Sequence, residues 1–123
     1  MAGGVVIQMK IEFPIFILEK DSGDISKFEN IYEMQAELER IDIENNEYEA
    51  WDRNAVPLKL SVQEPVWLRV EQRSTVPELS VLREAIKRFV GRAGVSLQDE
   101  SNLDTVGVFS KALTEVLRHK AKR

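Results

Sequence analysis

The chain contains no cysteine and a single histidine, His119. Without cysteine there is no disulfide, thiolate nucleophile, iron–sulfur cluster or cysteine-held zinc. A histidine-dependent triad or a histidine-ligated zinc needs an imidazole fixed on rigid structure. His119 instead sits near the basic end of the chain, where a cation suits the C-terminal end of a helix dipole. There is also no run of 18 or more apolar residues, so a spanning helix is excluded. The most apolar run, Phe13 to Leu18, is short and follows Lys10 and Glu12, the pattern of a strand and not of a signal peptide. No internal repeat or low-complexity stretch occurs. The absence of cysteine suits a reducing compartment, and a cytoplasmic location is the expectation.

What is present is an ordinary globular balance: 123 residues, 43% hydrophobic and 31% charged. That length predicts one domain, able to fold without a metal or disulfide staple. Met1-Ala2-Gly3-Gly4 reads as the start of a flexible leader over residues 1–8, with Met9 an alternative start. The charge is uneven. Residues 1–52 hold 4 Lys/Arg and 13 Asp/Glu, a net of −9, whereas residues 53–123 hold 13 and 8, a net of +5. Two solvated faces with a basic tail account for this; so does an acidic surface that attracts a basic partner.

Ile7, Met9, Ile11 and Phe13 alternate with polar residues, a period of two that predicts a strand. Pro14 interrupts it, and Ile15 to Glu19 resumes. Lys20-Asp21-Ser22-Gly23-Asp24 has turn chemistry, and Ile25 to Phe28 completes a hairpin. Asn30 followed by Glu33 resembles a capping box; Ile31, Met34, Leu38 and Ile41 then predict a helix from Ile31 to about Arg40. Three strands follow, over Glu47–Asp52, Leu58–Val62 and Val66–Glu71, as an antiparallel meander. Residues 75–123 are helical in character. One stripe is Leu79, Leu82, Ile86, Phe89 and Val90. The other is Val106, Phe109, Leu113, Val116 and Leu117, behind a cap at Ser101 or Asn102. The order ββαβββαα predicts an α+β fold: an antiparallel sheet of about five strands, one helix inserted between hairpins, and two C-terminal helices on the sheet or on a second subunit. Helices are expected on one sheet face, over the aliphatic residues. Trp51 and Trp67 then lie on the other.

Carboxylates are the only chemistry-bearing groups in number. Glu44, Glu47, Glu49 and Asp52 cluster in sequence, and Glu47 and Glu49 share a strand face. A close pair would suit magnesium or acid–base work; a solvated strand face with Lys59 or Arg69 opposite explains them more simply. Asp21-Ser22-Gly23-Asp24 lacks the spacing and final glutamate of a calcium loop. Gly91-Arg92-Ala93-Gly94 has neither a preceding strand nor a following lysine–serine pair, so it is no phosphate loop. Arg83, Lys87, Arg88 and Arg92 would form a basic ridge, with Lys120, Lys122 and Arg123 in the tail. The acidic half would repel a nucleic acid, which disfavours that partner.

The segment Ile41-Asp42-Ile43-Glu44-Asn45-Asn46-Glu47-Tyr48-Glu49-Ala50-Trp51-Asp52, after the hairpin Leu18-Glu19-Lys20-Asp21-Ser22-Gly23-Asp24, resembles a group of small uncharacterised bacterial proteins. The likeness covers about residues 13–63. It implies that this segment is a unit and the C-terminal helices a variable addition; it implies no activity and no site residue. The expectation from the residues is a non-enzymatic interaction domain without metal or cofactor, docking a basic protein through Glu47, Glu49, Trp51 and Trp67. An immunity-like, toxin-neutralising role is one version. A carboxylate- or metal-dependent hydrolase and a structural homo-oligomer, such as a homodimer, are the alternatives.

Overall fold

A computed structural model describes residues 5–7, 11–95 and 103–121. Along the chain run β1 (Val5–Ile7), β2 (Ile15–Glu19), β3 (Ile25–Phe28), α1 (Ile31–Glu37), α2 (Arg40–Glu44), β4 (Tyr48–Trp51), β5 (Pro57–Ser61), β6 (Leu68–Gln72), α3 (Leu79–Arg92) and α4 (Thr105–Ala121). The fold is α+β, with β2 to β6 forming the expected five-stranded antiparallel set. The strand order is β1-β6-β5-β4-β2-β3. β1 adds a sixth strand, paired parallel to β6 with Val6 opposite Arg69. The early alternation thus ends in two separate pieces: Ile7 closes β1, Met9 lies outside the described residues, and Ile11 to Phe13 are not strand.

The β2–β3 hairpin forms as the turn chemistry predicts. Glu19 and Gly23 close it through backbone bonds from Glu19 N–H to Asp24 O (2.9 Å) and from Gly23 N–H to Glu19 O (2.7 Å). Gly23 takes φ +75°, a left-handed conformation that glycine adopts without a Cβ penalty. At α1, Asn30 Oδ1 accepts from Glu33 N–H at 3.0 Å, while Glu33 Oε1 accepts from Glu29 N–H at 2.8 Å. The helix stops sooner than its stripe suggests. Leu38 is extended (ψ 138°), and a second short helix starts at Arg40. This break changes which isoleucine is buried: Ile43 enters the core and Ile41 is 61% exposed.

Helices cover both faces of the sheet, not one. On the first face α1 and α2 bring Ile31, Met34, Leu38 and Ile43 against Ile15, Ile17, Ala50, Leu58, Leu68 and Val70. On the second, α3 and α4 bring Leu82, Ile86, Val90, Val108, Phe109 and Ala112 against Phe16, Ile25 and Trp51. Phe16 and Phe109 meet with ring centroids 5.3 Å apart at 56°. A strand buried on both sides reads as a continuous apolar run instead of an alternation, and Ile15-Phe16-Ile17 is such a run. Burying each large side chain contributes about 1.5–3 kcal/mol, so two oily faces each need a cover. The aliphatic side of β5 and β6 does lie under helices, as expected.

The α3 stripe is buried as predicted, with Leu79 and Phe89 at its margin. The α4 stripe is rotated: Val108, Phe109, Ala112 and Val116 are buried, whereas Leu113 and Leu117 are exposed. Asp104 caps this helix, its Oδ1 accepting from Gly107 N–H at 2.7 Å. Ser101 and Asn102, and the side chains of His119, Lys120, Lys122 and Arg123, lie outside the described residues. Among the described residues no helix is long and apolar enough to cross a membrane.

Candidate functional site

Period-two geometry puts Glu47, Glu49 and Trp51 on one sheet face, and the structure separates their fates along it. Trp51 is 1% exposed, beneath α3 and α4. Its Nε1–H donates to Glu78 Oε1 at 3.1 Å, and Arg73 reaches the same oxygen at 3.5 Å. As an expected contact for a partner, Trp51 is therefore corrected: it is an interior side chain whose indole nitrogen is satisfied from within. Trp67 does not share its face. It is half-buried against the α1–α2 cluster, with the Arg40 guanidinium 6.0 Å from its ring centre. The residue stands just before β6, where the strict alternation of the ladder has not begun.

Glu49 is half-buried beside α3, and Glu47 lies at the foot of β4 next to the hairpin turn. There the Asp21 carboxylate raises the Glu47 pKa by its charge and through a hydrogen bond; partial burial and Asp42 add to this, and Lys20 opposes it. Tyr48 Oη–H donates to Asp42 Oδ2 at 3.3 Å, and burial raises the Tyr48 pKa. Two acidic groups brought together beside Lys20 form an electrostatic feature that only the fold creates, since Asp21 and Glu47 are far apart in sequence.

The acidic surface continues over the outside of α1 and α2. Glu33, Glu37, Glu39 and Glu44 are exposed there. The one basic residue of these two helices, Arg40, is paired with Glu64. Two large apolar side chains stand among these carboxylates, Tyr32 at 66% and Ile41 at 61% exposure. Sequence reasoning missed both. Tyr32 carried a signal, being off the buried stripe; Ile41 carried a misleading one, because it matched the stripe of an unbroken helix.

The expected basic ridge is divided among local tasks. Arg83 donates to Leu103 O and ties α3 to the segment before α4, Lys87 lies 3.9 Å from Glu84, and Arg92 lies 3.4 Å from Asp24 in the hairpin turn. Arg88 turns into a hollow beside Glu49. Among the described residues no three His, Asp or Glu side chains gather as they would around a metal ion. Together these features define an α+β domain with helices on both sheet faces and an acidic helical surface carrying exposed apolar side chains. Comparison with protein-family models, curated proteins and solved structures finds no match for the chain.

Proposed function

We propose that the protein is a non-enzymatic interaction domain that docks a basic protein partner through the outer surface of α1 and α2 and the adjoining Asp21–Glu47 corner. The observation that carries this reading is the set of uncompensated carboxylates around Tyr32 and Ile41. Complementary charge steers encounter, and an aromatic or aliphatic side chain supplies the anchor that charge alone lacks. A cation placed between Asp21 and Glu47 would relieve their repulsion, so this corner favours a lysine or arginine of the partner. Glu47 keeps its expected role. Glu49, Trp51 and Trp67 give way to Tyr32 and Ile41. Neutralisation of a basic toxin, in the manner of an immunity protein, is the concrete version of this proposal. A bacterial cytoplasmic setting belongs to it as well, in keeping with the resemblance of residues 13–63 to small bacterial proteins.

The test is affinity capture from a bacterial host at low and high salt, with the wild type beside a Glu33→Lys, Glu37→Lys, Glu44→Lys variant. The expected result is a basic partner that high salt releases and the variant fails to hold. Equal capture by the variant, or no salt-sensitive partner, rejects the reading. Self-association has separate support from Leu113 and Leu117, one helical turn apart and exposed on α4. Light scattering at high concentration decides it: a mass that stays at one chain ends that alternative.

A further inference from the structure

The β4–β5 ladder stops early. Its rungs are Ala50 opposite Leu58 and Trp51 opposite Pro57. Yet β4 continues along β2 to Tyr48, opposite Glu19, and β5 continues along β6 to Ser61, opposite Arg69. The two strands therefore stay in the sheet while parting from each other. The next rung would join Glu49 to Lys59, and it is not made. Backbone N–H and C=O groups are obligatory hydrogen-bonding groups, so a strand pair that parts in mid-sheet leaves polar groups facing the gap.

A cleft of ≈ 700 Å³ opens at this point. That lies within the range of small-ligand sites, about 300–1,000 Å³. A second hollow of ≈ 320 Å³ adjoins it under α3, sharing Lys20 and Glu49 as walls. Lys59 and Arg73 line the first, Arg88 and Arg92 the second. Five cations thus converge from β5, α3 and the chain just beyond β2 and β6, against two lining carboxylates, Glu44 and Glu49, in a protein whose formal net charge is −4. Arg73 and Arg92 are held at the rim by Glu78 and Asp24. Lys59 and Arg88 make no ion pair or side-chain hydrogen bond among the described residues. Like charges crowded around a concavity repel one another, and a bound anion relieves that repulsion.

We propose that this paired cleft binds a phosphorylated, hydroxyl-bearing small molecule of about nucleotide size. Guanidinium forks and ammonium groups match a phosphoryl group at the junction of the two hollows, where Lys20 is a shared wall with Lys59 on one side and Arg88 on the other. Glu49, half-buried among these cations, accepts hydrogen bonds and would repel a second anionic group; it selects a neighbouring hydroxyl. Leu60 and Val62, both half-buried, supply an apolar wall for the remainder of the ligand. The cleft borders the acidic surface at Glu44 of α2, but ester binding by the isolated chain and capture of a basic protein are separate measurements, so either reading can fail without the other.

Calorimetric titration of the full chain with adenosine monophosphate, glucose 6-phosphate, adenosine, glucose and inorganic phosphate tests this. The expected result is saturable one-to-one binding of at least one ester, with the unphosphorylated compounds inert and inorganic phosphate about tenfold weaker or worse. Lys59→Gln and Arg88→Gln should each weaken the ester by about tenfold, the scale of one charge-assisted contact. Arg118→Gln, on α4 and away from the cleft, should leave it unchanged. Both cleft residues are exposed and unpaired, so thermal melting should show intact folding; if Arg88→Gln unfolds the chain, Lys59→Gln alone decides. Absence of saturable ester binding, equal binding of inorganic phosphate, or equal weakening by Arg118→Gln overturns the proposal.

Discussion

Asp52 governs the turn between β4 and β5. Its carboxylate is 1% exposed, and Oδ1 accepts from the N–H groups of Asn54 (2.8 Å) and Val56 (3.1 Å). Asn54 in turn donates to Glu12 Oε2 at 2.7 Å, which fastens the segment before β2. Asp52→Ala strands the buried Val56 amide and frees that of the exposed Asn54 to water, so it should cost roughly 1–3 kcal/mol. Asp52→Asn retains an acceptor oxygen and should recover part of that in urea denaturation. In sequence Asp52 looks like one more member of an acidic cluster; its role is legible only once its burial is known. Glu47 likewise takes its character from the fold. Its raised pKa means that the folded chain holds that proton more tightly than the unfolded one, so stability should fall as pH rises through the window just above the ordinary value of 4.5. Asp21→Asn removes the main cause and should flatten that slope, as denaturant titrations across the window would reveal.

At the scale of single elements, local signals were the dependable ones. The Asn30–Glu33 cap and the Gly23 turn depend on groups within a few residues, and both form where the sequence puts them. The α1–α2 break is different. An extended Leu38 has no local advantage over a helical one; it exists because it lets Leu38 and Ile43 reach the same sheet face. The break predicts an asymmetry between two isoleucines two residues apart. Ile43→Ala should cost about 2–4 kcal/mol as a core truncation, whereas Ile41→Ala should stay within about 0.5 kcal/mol. Thermal melting of the two variants separates a broken helix from the continuous one, which would reverse the order. On α4 the same lesson appears as a rotation: the small Ala112 faces α3 and the sheet, while the larger Leu113 and Leu117 are left outside.

For the whole molecule, the decisive fact is that two covers protect one sheet. Removing residues 75–123 would uncover Phe16, Ile25 and Trp51. A fragment of residues 1–74 should therefore be aggregation-prone and fluoresce with a water-exposed tryptophan, measurable by sedimentation and emission wavelength. A soluble, well-folded fragment would show that α3 and α4 are dispensable to the core. The chain by itself determined the kind and order of most elements, the caps and turns, the α+β class and the lopsided charge. These follow from spacing and from neighbours in sequence, and side-chain direction along a helix or strand is a local property. Only the tertiary structure decided that both sheet faces are covered, that Trp51 is interior, that β1 joins β6 in parallel, and that scattered cations converge on a parted strand pair. Each of these depends on contacts between segments tens of residues apart, and such contacts are chosen by the total area the folded chain can bury, which no short stretch of sequence records.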